Sequence, residues 1–443
     1  MHTRLRIAFL MALTTLPFSL AAQERVVAIK AARLIDGSGR PPIENGVVLV
    51  RGNRIEAAGR AADISVPADA EVIDRGDETL MPGIIDAHAH LTVRPDVRTL
   101  EGQLEGMRQP DGKQMLRAVR NIRVQLLSGV TTLYVVGEMH FIDVQAAEAI
   151  ERGLIPGPRI IPGGEFITTT AGHGPDDART TDGPWELRKK VRRNLENGAD
   201  HIKLTVTDRM RIGPRAGALL APGESNFSRE EMQAVVEEAH RLGVQVTAHA
   251  NNDSIRLALE CGVDSIQHGY GLTPELIALF LKVGKGVVHT YTIGYQTWFA
   301  EWAYLDLQAR VAGDWVNHIR DVHKRILTEQ PARAEQVKQR RVELLAALRA
   351  GVPIAVGTDS MHGLMALEME NLVAAGFTPL QAIAAGTSQA ARVVGLSDCG
   401  LLEKGKRADI ISVKGNPAAQ IRDVGRVAFV MVAGRRYDDL SFR

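Results

Sequence analysis

The chain is poor in cysteine, has no surplus of either charge and, beyond its first twenty residues, lacks any long uncharged apolar run. Two cysteines in 443 residues, Cys261 and Cys399, exclude a disulfide scaffold, and neither stands in a Cys-x-x-Cys metal spacing. In an oxidising compartment they could pair, but only geometry decides between a bridge and two separately buried thiols. Lys plus Arg number 53 against 52 Asp plus Glu, a net charge of +1. That balance offers no general field for nucleic acid or an anionic membrane, and it points to a small-molecule partner. Hydrophobic residues make up 45 % and charged residues 24 %, which excludes a disordered or collagen-like chain and suits a large core.

The one apolar stretch, Ile7 to Leu20, follows Arg4 and Arg6 and runs into Ser19-Leu20-Ala21-Ala22. A basic start, a short apolar core and a small-residue exit read as a secretory signal peptide over residues 1–22. A membrane anchor needs about 20 uninterrupted apolar residues, and Thr14, Thr15 and Pro17 interrupt this stretch. Removal of the leader brings the net charge to −1, and the mature protein is expected to be exported, periplasmic or secreted, and free of the membrane.

Residues 23–80 and 396–443 both read as short strands separated by Gly, Asp and Asn turns. Two all-β ends around an α/β middle predict one discontinuous β-sandwich domain. Residues 81–395 alternate strands with helices. The strand candidates are Gly83–Leu91, Val130–Val136, Arg159–Ile167, His201–Val206, Val244–His249, Val263–His268, Gly286–Tyr291 and Pro353–Thr358. Several are near-continuous apolar runs, as buried parallel strands are. Ser228 with Glu231 forms a capping box, Thr273-Pro274 and Thr378-Pro379 read as helix starts, and Met115, Leu116, Val119, Ile122, Leu126 and Leu127 form an apolar stripe. The pattern predicts an α/β fold, a (β/α)8 TIM barrel; a doubly wound sheet is the alternative, but no Gly-x-Gly-x-x-Gly turn follows an early strand. One connection, 292–352, is long and holds Trp298, Trp302 and Trp315. It either packs onto the barrel or lines an apolar substrate pocket.

The first barrel strand ends Asp86-Ala87-His88-Ala89-His90, so His88 and His90 share one side of the strand. Converging neutral imidazoles are a common way to hold a transition metal. Further candidates recur at the ends of later strands: Lys203 on the fourth, His249 on the fifth, His268 on the sixth and Asp359 on the eighth. Each alone has a plain structural reading, as an ion-paired lysine, a satisfied buried histidine or a helix cap. Six at one end of a barrel argue for a site.

The run Met81-Pro82-Gly83-Ile84-Ile85-Asp86-Ala87-His88-Ala89-His90 is similar to the entry motif of the amidohydrolase superfamily. Gly405-Lys406-Arg407-Ala408-Asp409-Ile410 resembles its closing motif. Gly198–Lys203, Asp264–Gly269 and Thr168–Gly174 resemble the prolidase-type and imidazolonepropionase-like branch, whose members include dipeptidases and carboxypeptidase-like amidases. The likeness covers nearly the whole mature chain and departs from the pattern at Leu133-Tyr134-Val135-Val136, where relatives carry an Arg-Asp pair. It implies two divalent metal ions, zinc first, with manganese and iron as alternatives. His88, His90 and Asp359 would hold one, His249 and His268 the other, and Lys203, carboxylated by CO2, would bridge them. A shared hydroxide would attack, with Asp359 as general base and then acid. His173 would stabilise the oxyanion or merely its own loop, and Tyr270 would touch substrate. The implied activity is cleavage of an amide bond in a dipeptide or N-acyl amino acid. Lactone, carbamate and organophosphate hydrolysis are the alternatives; a deaminase usually lacks the strand-four lysine, and a non-enzymatic barrel would have lost ligands.

Overall fold

The computed structural model describes residues 25–93, 109–174, 180–207, 210–211, 217–218, 223–292, 324, 328–329 and 331–437. The expected leader and Trp298, Trp302 and Trp315 lie outside the described residues. The N-terminal strands are β1 (Val26–Leu34), β2 (Ile43–Arg51), β3 (Arg54–Arg60), β4 (Glu71–Asp74) and β5 (Thr79–Pro82). Then come β6 (Ile84–Ala89), β7 (Val130–Val135), β8 (Arg159–Pro162), β9 (Ile202–Thr205), the short pair β10 (Met210–Arg211) and β11 (Gly217–Ala218), β12 (Val246–Ala250), β13 (Ser265–His268), β14 (Gly286–His289) and β15 (Ile354–Val356). The chain closes with β16 (Ile410–Val413), β17 (Val427–Val432) and β18 (Arg435–Arg436).

The terminal strands form one eight-stranded sheet in the order β18-β17-β16-β5-β1-β2-β3, with β4 beside β1. Its valines and isoleucines alternate inward, and Ile29, Leu34, Val48, Val50, Ile55, Leu80, Ile410, Phe429 and Met431 share one core. The two ends of the chain meet where β5 runs antiparallel to β16, from Thr79 against Val413 to Pro82 against Ile410.

Eight parallel strands make the middle, as a sheet of three (β6-β7-β8) and a sheet of five (β9-β12-β13-β14-β15). Their residues are buried almost throughout, because helices cover the sheets on the outer side. Parallel bridges join the edges of the two sheets at both sides, Ala89 to Asp359 and Ile167 to Leu204. The first seam is tight. A Cβ on Gly357 would lie 2.5 Å from the His88 backbone nitrogen, so only glycine lets β15 approach β6 this closely.

The helices are α1 (Asp111–Leu127), α2 (Ile142–Glu151), α3 (Pro184–Glu196), α4 (Arg229–Arg241), α5 (Asp253–Glu260), α6 (Pro274–Val283), α7 (Pro331–Ala350), α8 (Met365–Ala374), α9 (Pro379–Ala385) and α10 (Ser388–Val393). The Ser228–Glu231 capping box starts α4, Thr273 caps α6, and Thr378 with Gln381 caps α9. On α1 the expected stripe is only partly right: Leu116 is 74 % exposed, while Gln114, Asn121 and Gln125 are buried. The buried face carries amides because it packs beneath polar strand ends. Asn121 Nδ2 donates to the Leu91 carbonyl at 2.7 Å, and Gln125 Nε2 to Asp86 Oδ2 at 2.8 Å. Cys261 and Cys399 are both free and buried. No helix among the described residues is long and apolar enough to cross a membrane.

Candidate metal centre

The strand ends bring four imidazoles, an amine and a carboxylate together. His88 Nε2 lies 3.6 Å and His268 Nε2 3.9 Å from Asp359 Oδ2, and His90 Nε2 lies 3.9 Å from Asp359 Oδ1. The His88 and His268 rings are 4.6 Å apart, and His249 meets His268 edge-on at 4.3 Å. Lys203 is fully buried on β9, in register with Thr247 on the neighbouring strand. His173 is exposed at the mouth, where its ring stacks on His249 at 4.7 Å. Tyr270 sits 5.8 Å from His268, ring to ring. All eight residues singled out in the sequence therefore fall in one neighbourhood.

Hydrogen bonds turn these rings to the same purpose. His88 Nδ1 bonds Gln267 Oε1 at 2.7 Å, and Gln267 Nε2 is itself anchored on Thr247 Oγ1. His90 Nδ1 bonds the Gly137 carbonyl at 2.9 Å, and His268 Nδ1 bonds Thr290 Oγ1 at 2.7 Å. Carbonyl acceptors make Nδ1 the donor in His88 and His90, which leaves the Nε2 lone pair free and aimed at Asp359, the tautomer a metal ligand needs; His268 reaches the same orientation through a hydroxyl that can accept likewise. His268 and Asp359 both hold positive φ, 68° and 61°, which is strained for residues with a Cβ. Strain of about 1–3 kcal/mol per residue is typical of functional sites, where surrounding structure enforces it.

Burial governs the charges. It pushes His88, His249 and His268 well below the ordinary imidazole range, and neighbouring cationic groups, Lys203 among them, lower them further. Burial also drives the Lys203 amine down, against the pull of Asp359, and the Asp359 carboxyl up, against the pull of Lys203. Beneath them Asp86 is pushed up to about 6 by burial, opposed by Thr358, the His88 amide and Gln125. Neutral imidazoles, a carboxylate and an amine inclined to lose its proton are a donor set suited to a transition metal. His88, His268 and Asp359 offer ligand atoms within 4.8 Å of one another, so the residues fit such an ion.

A cavity of about 610 Å³ opens beside this cluster, lined by Thr207, Asn251, Asn252, Tyr270, Gln339 and Arg340 among others. The lining residues are mostly of polar type, while the surface they expose is about evenly polar and apolar. The Arg340 guanidinium carbon lies over the Tyr270 ring, 3.7 Å from its centroid, and the group finds no carboxylate partner among the described residues. The nearby Glu343 is engaged by the Gly271 amide and Gln339, and Glu335 by Lys338. Where the sequence departs from the family pattern, Tyr134 stacks on His201 at 3.8 Å, both fully buried. Sequence reasoning missed Gln267, Thr290, Gln125 and Arg340. A Gln or Thr inside a strand run carries no motif, and Arg340 lies far along the chain from the ring it covers.

The strand order and the cluster identify the class. The amidohydrolase family model matches residues 79–437, and the chain belongs to that family of hydrolases. Among relatives it is 27 % identical over 440 residues to ochratoxinase from Aspergillus niger, covering 90 % of this chain and 83 % of that protein. Among solved structures it resembles a Xaa-Pro dipeptidase with bound methionine in the active site, at TM-score 0.74 and 28 % identity, covering 94 % of this chain and all of that one. A putative prolidase from Bifidobacterium longum follows at TM-score 0.73 and 28 % identity, covering 95 % and 96 % of the two chains.

Proposed function

We propose that the protein is a binuclear metal hydrolase that cleaves the amide bond of a small substrate bearing a free carboxylate, a dipeptide or an N-acyl amino acid. The observation that carries this reading is the set of imidazole Nε2 atoms of His88, His90 and His268 turned on the single carboxylate of Asp359. His88, His90 and Asp359 would hold one divalent ion and His249 and His268 the second. Lys203 would join them as a carbamate, since its buried amine is inclined to the neutral form that reacts with CO2. Zinc suits this nitrogen and carboxylate set. Such ions, when bound, polarise a carbonyl and bring the pKa of water from 15.7 to about 7.

The chain's own residues supply the rest. Asp359 takes a proton from the attacking water on a carboxylate oxygen and returns it to the departing amine, as base and then acid. His173, stacked on His249 at the mouth, donates to the carbonyl oxygen as charge develops there. Arg340, held over the Tyr270 ring, would offer its N–H groups to the substrate carboxylate.

The same proposal covers the architecture and destination. The seams at Ala89–Asp359 and Ile167–Leu204 support a single closed (β/α)8 barrel over 81–395. The common core of Ile55 and Phe429, from opposite parts of the terminal sheet, supports a sandwich built from 23–80 and 396–443. The leader over 1–22 supports export to the periplasm or beyond. The test is a screen of zinc-loaded protein against dipeptides, N-acyl amino acids, their C-terminal amides, lactones and phosphotriesters, with metal content measured in parallel. Turnover confined to lactones or phosphotriesters would overturn the amide reading. Full activity at one metal per chain would overturn the binuclear one.

A further inference from the structure

Two loop roots beside the metal centre are fixed in the same way. After His90, the amides of Leu91 and Thr92 and the Thr92 hydroxyl all donate to the carboxylate of Glu138, just beyond β7. After Thr290, the amides of Tyr291 and Thr292 and the Thr292 hydroxyl all donate to the carboxylate of Glu368 on α8. Both glutamates are buried, at 3 % and 0 % exposure. Burying a carboxyl group is costly unless its oxygens are satisfied, and each of these two accepts three bonds from the loop root it holds.

What the two roots share is their neighbour. Gly137, which precedes Glu138, offers its carbonyl to His90 Nδ1, so the Gly137-Glu138 pair grips His90 and the two residues after it at successive points. Thr290, which precedes the residues that Glu368 holds, bonds His268 Nδ1 through Oγ1 and takes the Tyr270 hydroxyl on its carbonyl at 2.7 Å. Each glutamate thus immobilises the backbone next to a group that orients one imidazole. They sit on different sides of the ring of strands and reach it from different elements.

We propose that Glu138 and Glu368 are paired positioning residues for the metal centre, one setting His90 and the other setting His268 through Thr290. The proposal rests on the metal reading above. Partners that orient a ligand typically change metal affinity 10- to 100-fold when removed. The variants are Glu138→Gln and Glu368→Gln, which keep the shape but turn an NH2 group toward one of the backbone donors. The control is Glu165→Gln: Glu165 is equally buried and paired with Lys190 on α3, but among the described residues its carboxylate holds no residue next to an imidazole of the cluster.

Zinc affinity is measured by chelator competition, and the melting temperature of the metal-free protein is measured alongside. The expected result is zinc binding weaker by about 10- to 100-fold in both variants, with the control keeping wild-type affinity even if it melts earlier. Wild-type affinity in folded Glu138→Gln and Glu368→Gln, with only a lower melting temperature, would overturn the proposal. Should either variant fail to fold, Thr92→Val and Thr292→Val remove one of three bonds and should weaken zinc in the same direction; unchanged affinity in both refutes it equally. Absence of zinc binding by the wild-type chain would instead overturn the metal reading, and is told apart because it needs no substitution.

Discussion

Replacing Arg340 by methionine keeps an unbranched stem over Tyr270 while removing the guanidinium, the cation in the cavity that lacks a carboxylate partner among the described residues. A hydrogen bond to a charged group contributes about 1.5–3 kcal/mol, and each 1.36 kcal/mol is tenfold in rate. Arg340 is only half-buried, so solvent screening favours the lower part of that range. Arg340→Met should therefore lower kcat/KM for an N-acyl amino acid by about ten- to a hundredfold. The same substrate as its C-terminal methyl amide has no carboxylate to lose, so its kcat/KM should stay near the wild-type value. The assay is the ratio of kcat/KM for acid and amide in both proteins. Arg340→Lys should recover only part of the ratio, because an ammonium neither stacks on the ring nor pairs bidentately. If the acid-to-amide ratio is the same in wild type and Arg340→Met, the guanidinium does not read the carboxylate.

Further outcomes follow from the cluster itself. Asp359→Asn keeps an oxygen donor but cannot take a proton; amide turnover should fall by about 10²- to 10⁴-fold, and activated esters, whose leaving group needs no proton, should suffer less. A loss below tenfold with full metal content would reduce Asp359 to a ligand. Lys203→Ala should lose both metal and activity, with partial return on adding short-chain carboxylates; wild-type turnover would make the lysine structural. Gly357→Ala forces a Cβ to 2.5 Å from the His88 backbone and should destabilise the fold by about 1–3 kcal/mol. Thermal unfolding checks this, and an unshifted melting temperature would mean the seam yields.

The middle of the chain was legible because parallel strands buried on both faces leave continuous apolar runs, and each candidate run overlaps an observed strand. The observed strands are shorter, since the residues after His268 or Thr205 leave the ladder to reach the site. The eight residues of the cluster were legible because parallel strands bring their C-terminal ends to one side, so order along the chain predicts neighbourhood in space. Their supports were not. Gln267, Thr290, Glu138 and Glu368 act across strands, and nothing in a single sequence tells a buried glutamate holding two amides from a solvated one. The α1 stripe failed for the same reason: periodicity counts apolar residues, and Gln125 is buried to serve Asp86. The resemblance carried the candidate ligand set, while the cation in the cavity wall came only with the placement of Arg340.

The antiparallel pairing of β5 with β16 also has a kinetic side. The edge that receives β16 lies beside the strand that leads into His88, and the Gly83 amide is held by the Asp409 carbonyl at 2.9 Å. A ribosome adding about 5–20 residues per second takes roughly 15–65 s to travel from the first of these strands to the second. Throughout that interval the side of β5 away from β1 is an unpaired apolar edge, open to wrong partners. Contacts between such distant segments close late, because the loop entropy must be met before the pairing stabilises anything. The entry to the strand that carries His88 is thus among the last parts of the molecule to be secured. A chain shortened before Ile410 would leave that edge bare for good, and its expected fate is aggregation rather than a smaller enzyme.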